Sequence, residues 1–158
     1  MTQTWPTADL DPVRRLRVLA TAAHAPMFAE ELIDLPFDRV WAVASDLEHE
    51  LPHLVRAMRT FTYTKVEGEN IRARAVGVIG NRADFDIVLR PGWCVMQSRF
   101  VLGGMAAVAE GDRTRFAVLG GSRLPGAARS RALLGHAGLA LGHGMIGRLR
   151  RRLTSHTR

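Results

Sequence analysis

Between residues 58 and 121 the apolar residues recur at every second position, and four turn signals cut the stretch into about six short runs: Glu67-Gly68-Glu69-Asn70, Gly80-Asn81, Pro91-Gly92 and Glu110-Gly111-Asp112. Alternation of this kind belongs to strands with one buried face, so the stretch predicts an antiparallel meander. From Pro125 to Arg152 the punctuation stops. No further proline occurs there, and Leu134, Leu141, Met145 and Leu149 recur at helical spacing, which predicts a long C-terminal helix with a basic tip.

Ahead of the meander the period is 3.6. Asp11-Pro12-Val13 supplies an N-cap acid and a proline in the first turn of a helix reaching His24, with Val13, Leu16, Ala20 and Ala23 on one face. Pro26 ends it. A strand over Phe28–Leu35 follows and is cut off by Pro36. A helix from Phe37 to Ala44 then places Val40, Trp41 and Ala44 on one side, and a second short helix covers Glu48 to Leu54.

With 158 residues and 17.4 kDa the chain fits one domain, and 47% hydrophobic with 23% charged residues excludes wholesale disorder. The single cysteine, Cys94, makes neither an internal disulfide nor a thiolate zinc cage. The N-terminus lacks a charged-then-apolar secretory pattern, so a reducing cytoplasm is the expected compartment. The net charge of +7 is uneven: residues 1–112 hold 12 basic and all 15 acidic side chains, residues 113–158 hold 10 arginines and no acid. Every basic residue but Lys65 is arginine, a bias that nucleotide composition produces as readily as function does.

Hairpin registers follow from the turns. Two-residue turns centred on Gly68-Glu69 and Gly80-Asn81 set Val66 near Ile71, Tyr63 near Arg74, and Arg74 near Ile87; a type II turn at Pro91-Gly92 sets Ile87 opposite Met96. One face then collects Phe61, Tyr63, Arg72, Arg74, Phe85, Ile87, Cys94 and Met96, and the other Thr60, Thr62, Asp84, Asp86, Gln97 and Arg99, with Asp84 facing Arg99. Two arginines on the apolar face would need a buried partner or a ligand anion. A β-bulge or a longer turn would instead swing them into water, and both readings stand at this point.

Other motifs carry less chemistry than they suggest. His49-Glu50-Leu51-Pro52-His53 matches the zinc pattern H-E-x-x-H, yet Pro52 is expected to stop a regular helix from presenting both histidines together, and no metal is predicted. Gly142-His143-Gly144-Met145-Ile146-Gly147 matches G-x-G-x-x-G without the strand before it or the acid after it, so no cofactor is expected; small residues where a helix passes close to a sheet explain it better. The uncharged run from Ala132 to Gly147 is too short and glycine-rich to read as a membrane span. Asp84 and Asp86 read as a solvated ladder, and His136 and His143, without acidic or thiol companions, as polar residues rather than ligands.

The segment Ile33-Asp34-Leu35-Pro36-Phe37-Asp38-Arg39-Val40-Trp41-Ala42-Val43-Ala44-Ser45-Asp46 and the turn Arg90-Pro91-Gly92-Trp93 resemble the START-like (SRPBCC) superfamily, which includes polyketide cyclases/dehydrases and pollen-allergen-like proteins. The resemblance implies an α+β helix-grip: a seven-stranded antiparallel sheet wrapped around a long C-terminal helix, two short helices after the first strand, and an apolar cavity between. It spans residues 27–155 as a ligand-binding domain and leaves 1–26 as an extension with its own short helix.

The function expected is binding or carriage of a hydrophobic small molecule, such as a lipid or polyketide. The sheet would line the cavity with Phe61, Tyr63, Phe85, Ile87, Met96 and Phe116, and the helices with Trp41, Leu134 and Leu141. Arg72 and Arg74 would face it too. The alternative is a polyketide cyclase/dehydrase in which Arg72 or Arg74 stabilises an enolate and Tyr63 relays a proton. Nucleic acid is not expected as a partner. Membrane contact is expected at most peripherally, through Arg148, Arg150, Arg151 and Arg152 of the C-terminal helix, and the chain is expected to be a monomer or homodimer.

Overall fold

The computed structural model describes residues 9–123 and 127–157; over 127–137 it describes the backbone alone. The order is α1 (Pro12–Ala22), β1 (Met27–Ile33), α2 (Phe37–Ala44), α3 (Leu47–Leu54), β2 (Met58–Glu67), β3 (Asn70–Gly77), β4 (Arg82–Arg90), β5 (Trp93–Gln97), β6 (Val101–Glu110), β7 (Arg113–Ser122) and α4 (Ala127–Ser155). All seven strands pair antiparallel in one sheet, ordered β1-β7-β6-β5-β4-β3-β2, so β1 closes the meander by pairing with its last strand.

Two apolar layers hold this sheet. The inner face carries the main core, which α2, α3 and the C-terminal half of α4 complete through Val40, Trp41, Leu51, Ile146 and Leu149. The outer face of β6 and β7 is covered by α1, whose Val13, Leu16 and Ala20 lie against Ala106, Ala117 and Leu119. Asp11 starts that helix by accepting the Arg14 backbone N–H at 2.9 Å. Double coverage explains a departure from alternation. β3 and β4 alternate buried with exposed residues, whereas Met105-Ala106-Ala107 and Phe116-Ala117-Val118-Leu119 are buried without a break, because both faces are out of water.

The path of α4 depends on glycine. A Cβ at Gly138 would stand 2.1 Å from the Pro26 carbonyl oxygen, and one at Gly142 would stand 2.6 Å from Ala29 Cβ. These residues let the helix pass directly over the start of β1. Of the glycine-rich motif, Gly142 serves this close packing, while Gly144 and Gly147 leave room for a side chain.

The short helix expected over Glu48 to Leu54 is present as α3. It contains Pro52 and runs on to Leu54, one N–H of its ladder being lost at the proline. Among the described residues no helix is long and apolar enough to cross a membrane.

Candidate functional site

Most of the residues read from the sequence as cavity lining are buried in the main core. Phe61, Phe85, Ile87, Met96 and Phe116 are buried in a single cluster with Trp41, and the rings of Phe61 and Phe85 lie 6.0 Å apart. Tyr63 is half-buried at the margin; its backbone N–H donates to Glu48 Oε1 at 2.7 Å. Burial, with the negative charge of Glu48 beside it, pushes the phenol up to about 12. Cys94 is fully buried, and burial pushes its thiol up to about 12 as well, so it stays protonated and unreactive. The Leu134 side chain lies outside the described residues, as does that of His136. Leu141 is 63% exposed and does not enter the core.

Arg72 and Arg74 do not face the interior. The β3–β4 connection is not a two-residue turn on Gly80-Asn81 but a five-residue loop over 77–81, closed by the Gly77 N–H donating to the Asn81 carbonyl at 2.7 Å. Val76 therefore pairs with Arg82, a slip of three positions from the expected register, and an odd slip exchanges the faces of a strand. A bulge in β2 between Tyr63 and Lys65 completes the change by pairing Tyr63 with Ala73. Ile71, Ala73 and Ala75 point inward. Arg72 and Arg74 point outward, 71% and 52% exposed, and pair with Asp86 and Asp84. Neither can stabilise an enolate inside the grip. The expected Asp84–Arg99 pair is absent too: β5 ends at Gln97, Asp84 bonds Arg74, and Arg99 lies over the Phe100 ring.

An apolar recess lies elsewhere. Between α4 and the connection from α3 to β2 is an open cleft of about 750 Å³, lined by Met27, Leu54, Val55, Leu141, Gly144 and Met145. Leu54 and Met145 also belong to the core, so these two side chains are the wall between cleft and interior. Arg56 and Arg148 stand at its edge. The Arg148 Nε donates to the Leu54 carbonyl at 2.8 Å, which fixes the guanidinium over the end of α3. Burial, then the neighbouring charges of Arg56 and Arg151, holds Arg148 below the usual arginine range. Among the described residues neither Arg56 nor Arg148 has a carboxylate at ion-pair distance. An apolar recess with two uncompensated cations can take an apolar molecule with an anionic end. Of its lining, only Leu141 was picked out from the sequence as a ligand contact. Gly144, Met145 and Arg148 follow it at helical spacing on α4, whereas Met27 and the 54–57 segment join them only through the fold.

No family model and no curated protein matches the chain. Solved structures do. A protein of Thermus thermophilus is 21% identical over 84% of this chain and 99% of its own, with a TM-score of 0.63. The Zhui aromatase/cyclase of a Streptomyces species is 13% identical over 84% of this chain and 94% of its own, with a TM-score of 0.62. A START superfamily protein of Mycobacterium smegmatis is 14% identical over 82% and 97%, with a TM-score of 0.55. The fold is the START-like helix-grip.

Two features shape this START-like grip. The helix α1 sits outside the sheet and away from the cleft. At the basic end of α4, Arg148, Arg150 and Arg152 are engaged within the fold, and Arg151 is exposed. Besides Arg148, Arg150 donates to the Leu32 carbonyl at 2.9 Å, and Arg152 grips Glu50 through Nε and Nη2 at 2.7 and 3.0 Å. His156 Nε2 lies 2.9 Å from the same carboxylate. Hydrogen bonds from Arg152 outweigh burial and hold Glu50 at about 2, far below its ordinary value. Thus the central acid of the H-E-x-x-H pattern ties α3 to α4. His49 pairs with Asp46 at 2.8 Å, and His53 is exposed.

Proposed function

We propose that this protein binds a hydrophobic small molecule with an anionic end, held in the cleft between α4 and the α3–β2 connection. The carrying observation is the pairing of an apolar recess of about 750 Å³ with Arg56 and Arg148, two guanidinium groups that lack acidic partners among the described residues. Burial of the ligand's apolar part at about 25 cal/mol per Å² supplies affinity, and the arginines fix its orientation. Met145 is a flexible thioether standing between cleft and core, so a longer ligand reaches the aromatic cluster by displacing it. Likeness in fold to an aromatase/cyclase and to a START superfamily protein supports a small hydrophobic partner without assigning a reaction.

Native mass spectrometry with oleate as the probe tests this. A Cβ at Gly144 would meet the Arg148 guanidinium at 3.4 Å and little else, so Gly144→Leu fills the cleft while improving helix propensity. The expected result is a one-to-one oleate complex of the unaltered protein that Gly144→Leu abolishes without loss of thermal stability. Equal oleate binding by both proteins refutes the assignment.

A further inference from the structure

Strand pairing brings five chain connections to one end of the sheet. Met27 pairs with Gly120, Met58 with Gly77, and Val101 with Ser122, while the Val78 N–H donates to the Ala57 carbonyl and the Arg123 N–H to that of Phe100. Segments 23–26, 55–57, 77–81 and 98–100 and the exit of β7 at Arg123 therefore share one rim. None of them contains an acid. Arg56, Arg82, Arg99 and Arg123 are exposed on this rim, and among the described residues none has a carboxylate at ion-pair distance. Arg123 bonds the side-chain oxygen of Gln97 and the Ser98 carbonyl, and Arg99 lies 5.2 Å over the Phe100 ring. Among these arginines stand exposed Val78, Ile79, Phe100 and Val101, with Ile79 88% in solvent. The turns at the opposite end carry Glu67, Glu69, Glu110 and Asp112 beside exposed Arg90, with Glu67 paired to Lys65 and Glu110 to Arg115.

Aliphatic and aromatic side chains projecting from a cationic, acid-free rim match a surface with anionic head groups over hydrocarbon. We propose that this rim docks on an anionic lipid bilayer, with Ile79 and Phe100 entering the head-group layer and Arg82, Arg99 and Arg123 meeting its phosphates and carboxylates. A nucleic acid would satisfy the arginines but give Val78 and Ile79 no role. Docking does not depend on occupancy of the cleft, and it tests independently of it.

The experiment is co-sedimentation of the full chain with phosphatidylcholine vesicles, with and without phosphatidylserine, at low and high salt. Binding is expected only with phosphatidylserine, weakening as salt rises. Arg82→Gln with Arg99→Gln should weaken it by roughly 25-fold, about fivefold for each arginine near an anionic surface. Ile79→Ser should weaken it on the order of tenfold by removing one inserted apolar side chain, and its exposure leaves folding unaffected. Glu67→Gln at the opposite end should not weaken it. The proposal is overturned by absence of binding to phosphatidylserine vesicles at low salt, by rim variants that bind as the unaltered chain does, or by binding to a DNA duplex in place of vesicles that survives Ile79→Ser.

Discussion

Replacing Arg152 by Leu leaves Glu50, only 4% exposed, with a single half-exposed partner in His156. Glu50 is held at about 2 against an ordinary 4.5, which corresponds to about 3 kcal/mol of stability at neutral pH. Breaking a buried pair from one side costs about 3–5 kcal/mol, and the part-exposure of Arg152 brings the expected loss to about 2–3 kcal/mol. The sign follows from the depressed carboxylate. Its contribution is complete above the unfolded value near 4.5 and disappears as pH falls toward about 2, where folded and unfolded chains are both protonated. Urea melts followed by circular dichroism should therefore separate the two proteins by about 2–3 kcal/mol near pH 7 and by about 1 kcal/mol near pH 3. A difference below about 0.5 kcal/mol at neutral pH, or one that does not change with pH, refutes the clamp.

Gly138→Ala should destabilise the fold severely, because the Cβ would stand 2.1 Å from a backbone oxygen that cannot move independently; a fall in Tm against an Ala140→Gly control checks it. Arg74→Ser should leave Tm and oleate binding unchanged, since its ion pair with Asp84 is exposed on the outer face. Cys94 should resist a disulfide reagent at pH 8 in the folded protein and react fully in denaturant, as a thiol raised to about 12 by burial requires; fast labelling of the native chain contradicts its placement.

The elements were legible because each has a local cause. Asp11-Pro12 starts α1, Pro36 separates β1 from α2, and Gly92 at φ 74 closes the β4–β5 turn, so that Ile87 does face Met96 as expected. The β3–β4 register failed where the local signal misled. Gly80-Asn81 looks like the centre of a tight hairpin, yet Val78 and Ile79 belong to the loop despite their strand propensity, and the odd slip turned Arg72 and Arg74 outward. Apolar alternation through 71, 73 and 75 was hidden because Ala73 and Ala75 are too small to stand out beside two arginines. They are small for a reason: opposite them pack Phe85 and Phe61. The cleft and the clamp stayed out of reach because their parts meet only in three dimensions, Glu50 and Arg152 being 102 positions apart. The charge asymmetry between the sheet ends was present in the turns but needed the topology to become a surface.

The most direct test of the ligand site uses the methyl groups of methionine as reporters, because Met27 and Met145 line the cleft while Met96 and Met105 are buried in the sheet's inner face. Methyl-resolved NMR during an oleate titration should shift Met27 and Met145 and leave Met96 and Met105 in place at the first equivalent. Shifts confined to Met96 and Met105 would place the ligand inside the grip and contradict the cleft as its site.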